Sequence, residues 1–127
     1  MILGAEKKIN IEKIVLHTKS RYLELVFGDG LISKLSCEFL RVYSPSAEVR
    51  GHGKGGENLQ VGKRNVTINE IEQVGNYAVK FIFSDGHSSG IFSWSYLRQI
   101  SEKQEFMWDN YIQLLEKNGQ SRDPVEL

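Results

Sequence analysis

The chain has 127 residues, of which 40% are hydrophobic and 25% are charged. These values indicate one globular domain over residues 1–127, with a core spanning about residues 11–118. The 16 basic and 16 acidic residues balance, whereas nucleic-acid-binding domains usually carry a basic excess, so we expect no nucleic-acid partner. A single cysteine, Cys37, excludes an internal disulfide and a metal site built of cysteines alone.

No stretch approaches the roughly 20 apolar residues that a membrane-spanning helix needs. The opening "MILGAEKK" has no long apolar segment, which argues against a signal peptide. We therefore expect a cytoplasmic protein that does not associate with membranes.

The first half of the chain predicts strands followed by short helical segments. Alternating apolar residues favour a strand over Ile11–His17 and a hairpin made of Arg21–Phe27 and Leu31–Ser36. A short helix is expected over Cys37–Val42, and a further helical turn over Ser46–Arg50.

The second half starts with a loop and returns to strands. Five glycines between Gly51 and Gly62 predict an exposed loop. Strands are expected over Val66–Val74 and Tyr77–Phe83, and Ser88–Phe92 is predicted to complete a second hairpin.

Two stretches of the sequence resemble each other. "LELVFGDGLISKLSCEFLR" (Leu23–Arg41) and "VKFIFSDGHSSGIFSWSYLR" (Val79–Arg98) share an apolar run, then Phe-x-Asp-Gly, and a final Leu-Arg. Asp-Gly between alternating runs favours a hairpin with a type I′ turn, here at Asp29-Gly30 and Asp85-Gly86. We expect two related strand–turn–strand–helix units that share one core.

After Ser93 the apolar spacing changes to three and four residues, which predicts amphipathic helices to Ile100 and over Glu102–Lys117. Ser101 and Gln104 match a capping box for the second helix. Residues 119–127 are expected to form a flexible tail. The predicted class is α+β: antiparallel hairpins forming a sheet, with short helices and the C-terminal amphipathic helix packed on one face.

The nucleotide-binding motifs do not fit their required context. Gly51, Gly53 and Gly56 satisfy G-x-G-x-x-G as text, but the pattern neither follows a strand nor opens a helix. The pair Gly62-Lys63 is followed by arginine instead of serine or threonine, which excludes a P-loop.

No catalytic constellation is recognisable either. The sequence has no G-x-S-x-G elbow and no carboxylate pair suited to acid–base work, and Cys37 has the setting of a buried structural thiol. We therefore expect that the chain is not an enzyme. The aromatic residues of the last third are expected in the core, and a stacking or peptide-binding surface is the alternative: Phe92, Trp94, Tyr96, Trp108 and Tyr111.

The segments "LELVFGDG", "EFLRVYSPSAEVRGHG" and "VTINEIEQVGNYAVKFIFSDGHSSGIFSWSYL", with the ending "WDNYIQLLEKNGQSRDP", resemble one family. It is called domain of unknown function 971, or the gamma-butyrobetaine hydroxylase-like N-terminal domain. The resemblance covers roughly Ile11–Pro124 and implies a stand-alone form of this domain, because no oxygenase domain accompanies it.

The resemblance also implies a metal site that this chain has lost. In gamma-butyrobetaine and trimethyllysine hydroxylases the domain holds zinc with three clustered cysteines and one histidine. The corresponding positions here are Ser44, Ser46, Val49 and His87. Hydroxyls are poor zinc ligands compared with thiolates, and valine cannot bind, so no cofactor is expected.

The first functional hypothesis is a small non-catalytic binding or adapter module with a protein partner; the oligomeric state is left open. Binding residues usually lie on loops held by rigid hairpins. The expected interaction surface consists of Ser44, Ser46, Glu48, Arg50, His52, Asp85, His87 and Ser89.

The alternative is an accessory protein that handles metal or iron–sulfur clusters, since the family also occurs joined to Mrp-type ATPases. Such a protein would bind zinc or iron weakly through His52 and His87, with Glu48 or Cys37 as further ligands.

Overall fold

The computed structural model describes residues 10–50 and 58–125, without the side chains of Glu48 and Arg50. It confirms the α+β class: two antiparallel three-stranded sheets combine with helices that include a long C-terminal one. None of the helices within these residues is long and apolar enough to cross a membrane.

The first sheet has the strand order β1-β2-β3, from Ile11–His17, Tyr22–Phe27 and Ile32–Ser36. Side chains alternate along β2, where Leu23 and Leu25 are fully buried between half-buried neighbours. This alternation is the period of two that predicted the strand, because successive residues of a strand point to opposite faces.

The second sheet repeats this arrangement with β4 (Ile68–Val74), β5 (Ala78–Phe83) and β6 (Ile91–Ser93). Both first strands shift register after their first residue: β1 between Ile11 and Lys13, and β4 between Ile68 and Glu70. The similarity of the two units therefore includes irregularities of the backbone. It also extends to β1 and β4, which lie outside the two stretches of similar sequence.

The hairpin turns lie at the predicted positions, but their type differs from the prediction. Phe27 N–H donates to Leu31 C=O, and Gly30 N–H donates to Phe27 C=O, each at 2.9 Å. Only the glycine has a positive φ, 97° at Gly30 and 92° at Gly86, whereas a type I′ turn requires two such residues. The prediction of type I′ turns was wrong: each turn is a three-residue loop with glycine in the left-handed position.

A short helix follows each hairpin: α1 (Cys37–Val42) and, after the second unit, α3 (Trp94–Glu102). The Ser36 hydroxyl accepts from Phe39 N–H at 3.0 Å, and the equivalent Ser93 accepts from Tyr96 N–H at 3.1 Å. These N-caps satisfy N–H groups that have no partner within the helix, which explains why serine ends both strands.

Two more helices complete the chain, α2 (Ala47–Arg50) and α4 (Gln104–Lys117). The predicted capping box is wrong, because Ser101 lies inside α3 and Lys103 occupies the N-cap of α4 without a side-chain cap. The helix ends at Lys117, as predicted; beyond it Gly119 has φ 63°, and Gln120 N–H donates to Leu115 C=O at 2.9 Å.

One hydrophobic core joins the two units. Residues of both sheets, α1 and α3 belong to it, while Tyr111 and Leu115 of α4 form a smaller cluster with Val42. The fully buried large side chains are Tyr111, Phe27, Phe39, Phe81, Phe83, Phe92, Leu23, Leu25, Leu35, Leu40, Leu97 and Ile100.

Ser121 and Arg122 contact the rest of the domain, whereas the sequence predicted a flexible tail over residues 119–127. The Arg122 guanidinium binds both carboxylate oxygens of buried Glu38, at 2.7 and 2.8 Å. Backbone bonds of 3.0 Å join Gly62 N–H to Ser121 C=O and Arg64 N–H to Arg122 C=O. Local sequence signals missed this segment because its partners lie far away in the chain.

Candidate functional site

The candidate site is a cluster of Ser44, Ser46, His87 and Gly90, called here the serine–histidine cluster. Ser44 Oγ lies 2.9 Å from His87 Nε2, and Ser46 Oγ lies 3.5 Å from the same nitrogen. Ser44 and Ser46 each lie about 40 positions before His87 in the chain. The fold therefore brings together three of the residues predicted from sequence.

The cluster is tightly packed because a glycine faces Ser44. A Cβ atom at Gly90 would lie 2.0 Å from Ser44 Oγ and 3.2 Å from Pro45 Cδ. No side chain fits in that space while the Ser44 hydroxyl keeps its position, so Gly90 permits the segment after α1 to lie directly on the second hairpin. The hydroxyl–imidazole contact depends on this close approach.

Beside the cluster, the Asp85 carboxylate forms ion pairs with two basic side chains. Its Oδ2 accepts from Arg41 Nε at 2.9 Å and from Lys63 Nζ at 2.6 Å, while Oδ1 accepts from His87 N–H at 3.3 Å. Partial burial raises the pKa of Asp85, but the bonds from Lys63 and Arg41 outweigh it and lower the pKa from 3.8 to about 2. The carboxylate is thus a structural anchor for the turn that carries His87.

The predicted interaction surface contains both buried and exposed residues. Ser44 and Ser46 are only 1% and 6% exposed, so a partner cannot reach their side chains in this structure. Ser89 is exposed, Asp85 is exposed with its carboxylate engaged, and His87 is half-buried. His52 and the side chains of Glu48 and Arg50 lie outside the described residues.

The zinc site implied by the family does not fit the donors of this cluster. Ser44 and Ser46 present neutral hydroxyls, and the Ser44 hydroxyl already shares a hydrogen bond with the ring nitrogen of His87. Zinc in closed protein sites prefers thiolate and imidazole donors. Among residues 10–50 and 58–125 there is also no group of three or more His, Cys, Asp or Glu side chains able to hold a metal.

A serine beside a histidine also resembles a nucleophile beside its base, but the surroundings differ from a catalytic site. The Ser44 hydroxyl lies under Gly90 and is almost fully buried, so a substrate carbonyl cannot approach it. The nearby Asp85 carboxylate binds the His87 backbone N–H and two cations. The contact instead joins two loops.

The aromatic residues of the last third mainly pack inside the domain. Phe92 and Tyr111 are buried, and the Tyr111 hydroxyl donates to Gln60 C=O at 2.7 Å. Burial and the nearby Glu38 raise the pKa of Tyr111 to about 12. Trp94, Tyr96 and Trp108 are half-buried against the core. These positions agree with the core interpretation.

Sequence reasoning missed Arg41, Lys63 and Gly90 as parts of the site. Arg41 carried a signal, since both similar stretches end in Leu-Arg and the second arginine also pairs with the aspartate of a turn. Gly90 carried none, because its role depends on the approach of a segment more than 40 residues away.

Comparisons with known proteins agree with the resemblance described above. The family described as "Gamma-butyrobetaine hydroxylase-like, N-terminal" matches residues 14–98. Two structures solved in solution by NMR are each 44% identical to this chain, with TM-scores of 0.80 and 0.79. They cover 94% and 99% of this chain, and the match covers 94% of each of those chains.

A crystal structure of a protein of unknown function from Acidithiobacillus ferrooxidans ATCC 23270, which belongs to the DUF971 family, is 39% identical. Its TM-score is 0.59, and the match covers 72% of this chain and 91% of that one. No curated protein matches the chain. The suspected family is thereby confirmed, and the chain belongs to the gamma-butyrobetaine hydroxylase-like N-terminal domains, the DUF971 family.

Proposed function

We propose that this domain is a small, non-catalytic binding module of the cytoplasm that recognises a protein partner. The proposed contact surface, called here the His87 face, consists of Asp85, His87 and Ser89 with Glu48 and Arg50 of the adjoining segment. The observation that carries the proposal is the contact between Ser44 Oγ and His87 Nε2 at 2.9 Å. This contact joins two loops that are far apart in the sequence.

Rigidity is what makes a pair of loops useful for recognition. A loop that is already held in its bound conformation loses less conformational entropy when a partner binds. Here the Ser44 hydroxyl holds His87, with Ser46 Oγ 3.5 Å from the same ring nitrogen, while Lys63 and Arg41 bind the Asp85 carboxylate of the same turn. The buried serines are therefore proposed as positioning residues, and the exposed Ser89 as a contact residue.

Affinity capture with matched variants tests this surface. Ser89→Arg places a large cation on the His87 face, and Ser95→Arg does the same at another exposed serine, in α3. We expect partners captured by the wild type to be lost with Ser89→Arg and retained with Ser95→Arg, at unchanged thermal stability. The same captured proteins with both variants would refute the His87 face.

A further inference from the structure

A second feature lies outside the serine–histidine cluster. A pocket of about 330 Å³ opens between the β1–β2 loop, the start of α1 and the segment before β4. Its volume is at the lower end of small-molecule sites, which begin near 300 Å³. The polar side chains that line it are Lys19, Ser20, Arg21, Ser36, Glu38 and Arg64.

The charge of this pocket is positive because its carboxylate is already neutralised. Both oxygens of Glu38 accept from Arg122, so the Glu38 carboxylate does not offset the positive charge of the other pocket residues. Arg64 pairs with Asp123 through Nε. Neither Lys19 nor Arg21 forms an ion pair with any of residues 10–50 or 58–125, so two charges remain without a counterion there.

Both the backbone and the side chain of Arg21 form hydrogen bonds that hold it at the pocket. It has φ 57°, and it is the only non-glycine with a positive φ among the described residues. Its carbonyl accepts from Cys37 N–H at 3.0 Å, and its Nη1 donates to Asn65 Oδ1 at 3.2 Å. A left-handed arginine is unfavourable on its own, and such residues persist when the surrounding structure fixes them.

We infer that this pocket binds the phosphate group of a small phosphorylated molecule. Arginine and lysine supply the charge, and the guanidinium geometry suits bidentate contact with phosphate oxygens. The Ser36 hydroxyl accepts from Phe39 N–H and keeps its own hydrogen for donation, and Ser20 adds a second hydroxyl. The inference uses no residue of the His87 face and stands independently of the proposed function.

Titration of the full chain with inorganic phosphate, followed by two-dimensional NMR, tests the inference. Sodium chloride at equal ionic strength controls for general salt effects. The variant Arg21→Asn removes the guanidinium, and asparagine tolerates the left-handed backbone. Lys19→Gln removes the second cation, and Lys13→Gln is the matched control, since Lys13 is exposed on β1 and does not line the pocket.

We expect saturable shifts at the amides of residues 19–21 and 64 with phosphate, absent with chloride. Arg21→Asn and Lys19→Gln should each weaken binding by about fivefold, while Lys13→Gln should not change it. Shifts of equal size with chloride, no saturation, or identical affinities in all variants would overturn the inference. The amide spectra also report whether each variant keeps its fold.

Discussion

Arg98 and Asp29, 69 residues apart in the chain, form a two-pronged ion pair in which Nη1 and Nη2 of Arg98 donate to the carboxylate at 2.9 and 2.7 Å. Arg98 belongs to the helix of the second unit, and Asp29 lies in the turn of the first. Arg41, in the helix of the first unit, donates in return to Asp85 in the turn of the second. The two units thus exchange equivalent arginine–aspartate contacts.

This exchange explains why the Asp-Gly and Leu-Arg signals recur together. Backbone contacts repeat as well: Cys37 N–H donates to Arg21 C=O at 3.0 Å, and Trp94 N–H donates to Tyr77 C=O at 2.9 Å. Each unit offers one aspartate and one arginine to the other, so the pairing fixes their mutual orientation around the shared core. The serine–histidine cluster lies beside one of these pairs.

The paired aspartates predict a loss of stability in acid. A bond from Arg98 lowers the pKa of Asp29 from 3.8 to about 2, and Asp85 also has a pKa of about 2. A carboxylate with a lowered pKa stabilises the fold above its unfolded-state pKa, and this contribution disappears as the pH falls through the folded value. We expect the unfolding free energy to decrease between about pH 4 and pH 2.

Urea unfolding of Asp29→Asn and Asp85→Asn across pH 2–6 measures this effect. Each variant should show a shallower decrease than the wild type, whereas Asp109→Asn, at an exposed position of α4, should parallel it. Parallel curves for all four proteins would show that neither pair is linked to acid unfolding.

A side chain at Gly90 should destabilise the fold. Gly90→Ala places a Cβ against Ser44 Oγ, and we expect a loss of about 1–3 kcal/mol of stability from overpacking. Gly28→Ala is the control, since its nearest atoms would lie 3.7 Å away, an ordinary contact. Thermal unfolding checks both variants.

Removing the Ser44 hydroxyl should reduce the loss of stability that Gly90→Ala causes. Gly90→Ala in a Ser44→Ala background is expected to lose less stability than Gly90→Ala alone, because the two sites are in direct contact. Strict additivity of the two changes would contradict the packing described for the serine–histidine cluster.

The ion pair between Glu38 and Arg122 should stabilise the end of the chain. Arg122→Ala leaves a carboxylate that is only 5% exposed without its partner, and we expect a cost of about 3 kcal/mol. Arg64→Ala removes an exposed pair with Asp123 and should cost less than about 1 kcal/mol. Equal costs in chemical denaturation would show that burial of Glu38 does not govern the effect.

Cys37 should be unreactive in the folded protein. Its side chain is fully buried, and burial raises the pKa of the thiol, which lowers the fraction of reactive thiolate. We expect a chromogenic disulfide reagent to modify Cys37 only at the rate of unfolding, and rapidly in denaturant. Fast stoichiometric modification under native conditions would contradict this placement.

The serine–histidine cluster should not retain zinc. Two hydroxyls and one imidazole are weak donors compared with the thiolates of closed zinc sites. We expect elemental analysis of the protein, dialysed against a zinc-containing and then a zinc-free buffer, to find substoichiometric metal. Retained stoichiometric zinc that is lost in His87→Ala would instead support the metal-handling alternative.

Much of the local structure could be predicted from sequence because its signals are local. Period-two alternation predicted the strands, Asp-Gly predicted where the hairpins turn, and three- and four-residue spacing predicted α4. The turn type and the cap of α4 were wrong because Asp-Gly and the pattern Ser101-x-x-Gln104 are each compatible with more than one backbone arrangement.

By itself, the sequence determined the α+β class and the two related units, which follow from periodicity and repeated motifs, and its resemblance to known sequences indicated the family. Only the tertiary structure decided that Arg122 reaches Glu38 and that Arg21 lines a cationic pocket, whereas the family resemblance already implied that Ser44 and His87 lie close together. Those contacts join residues separated by tens of positions, and the packing of the shared core selects them. Local propensity carries no information about which distant segments that packing brings together.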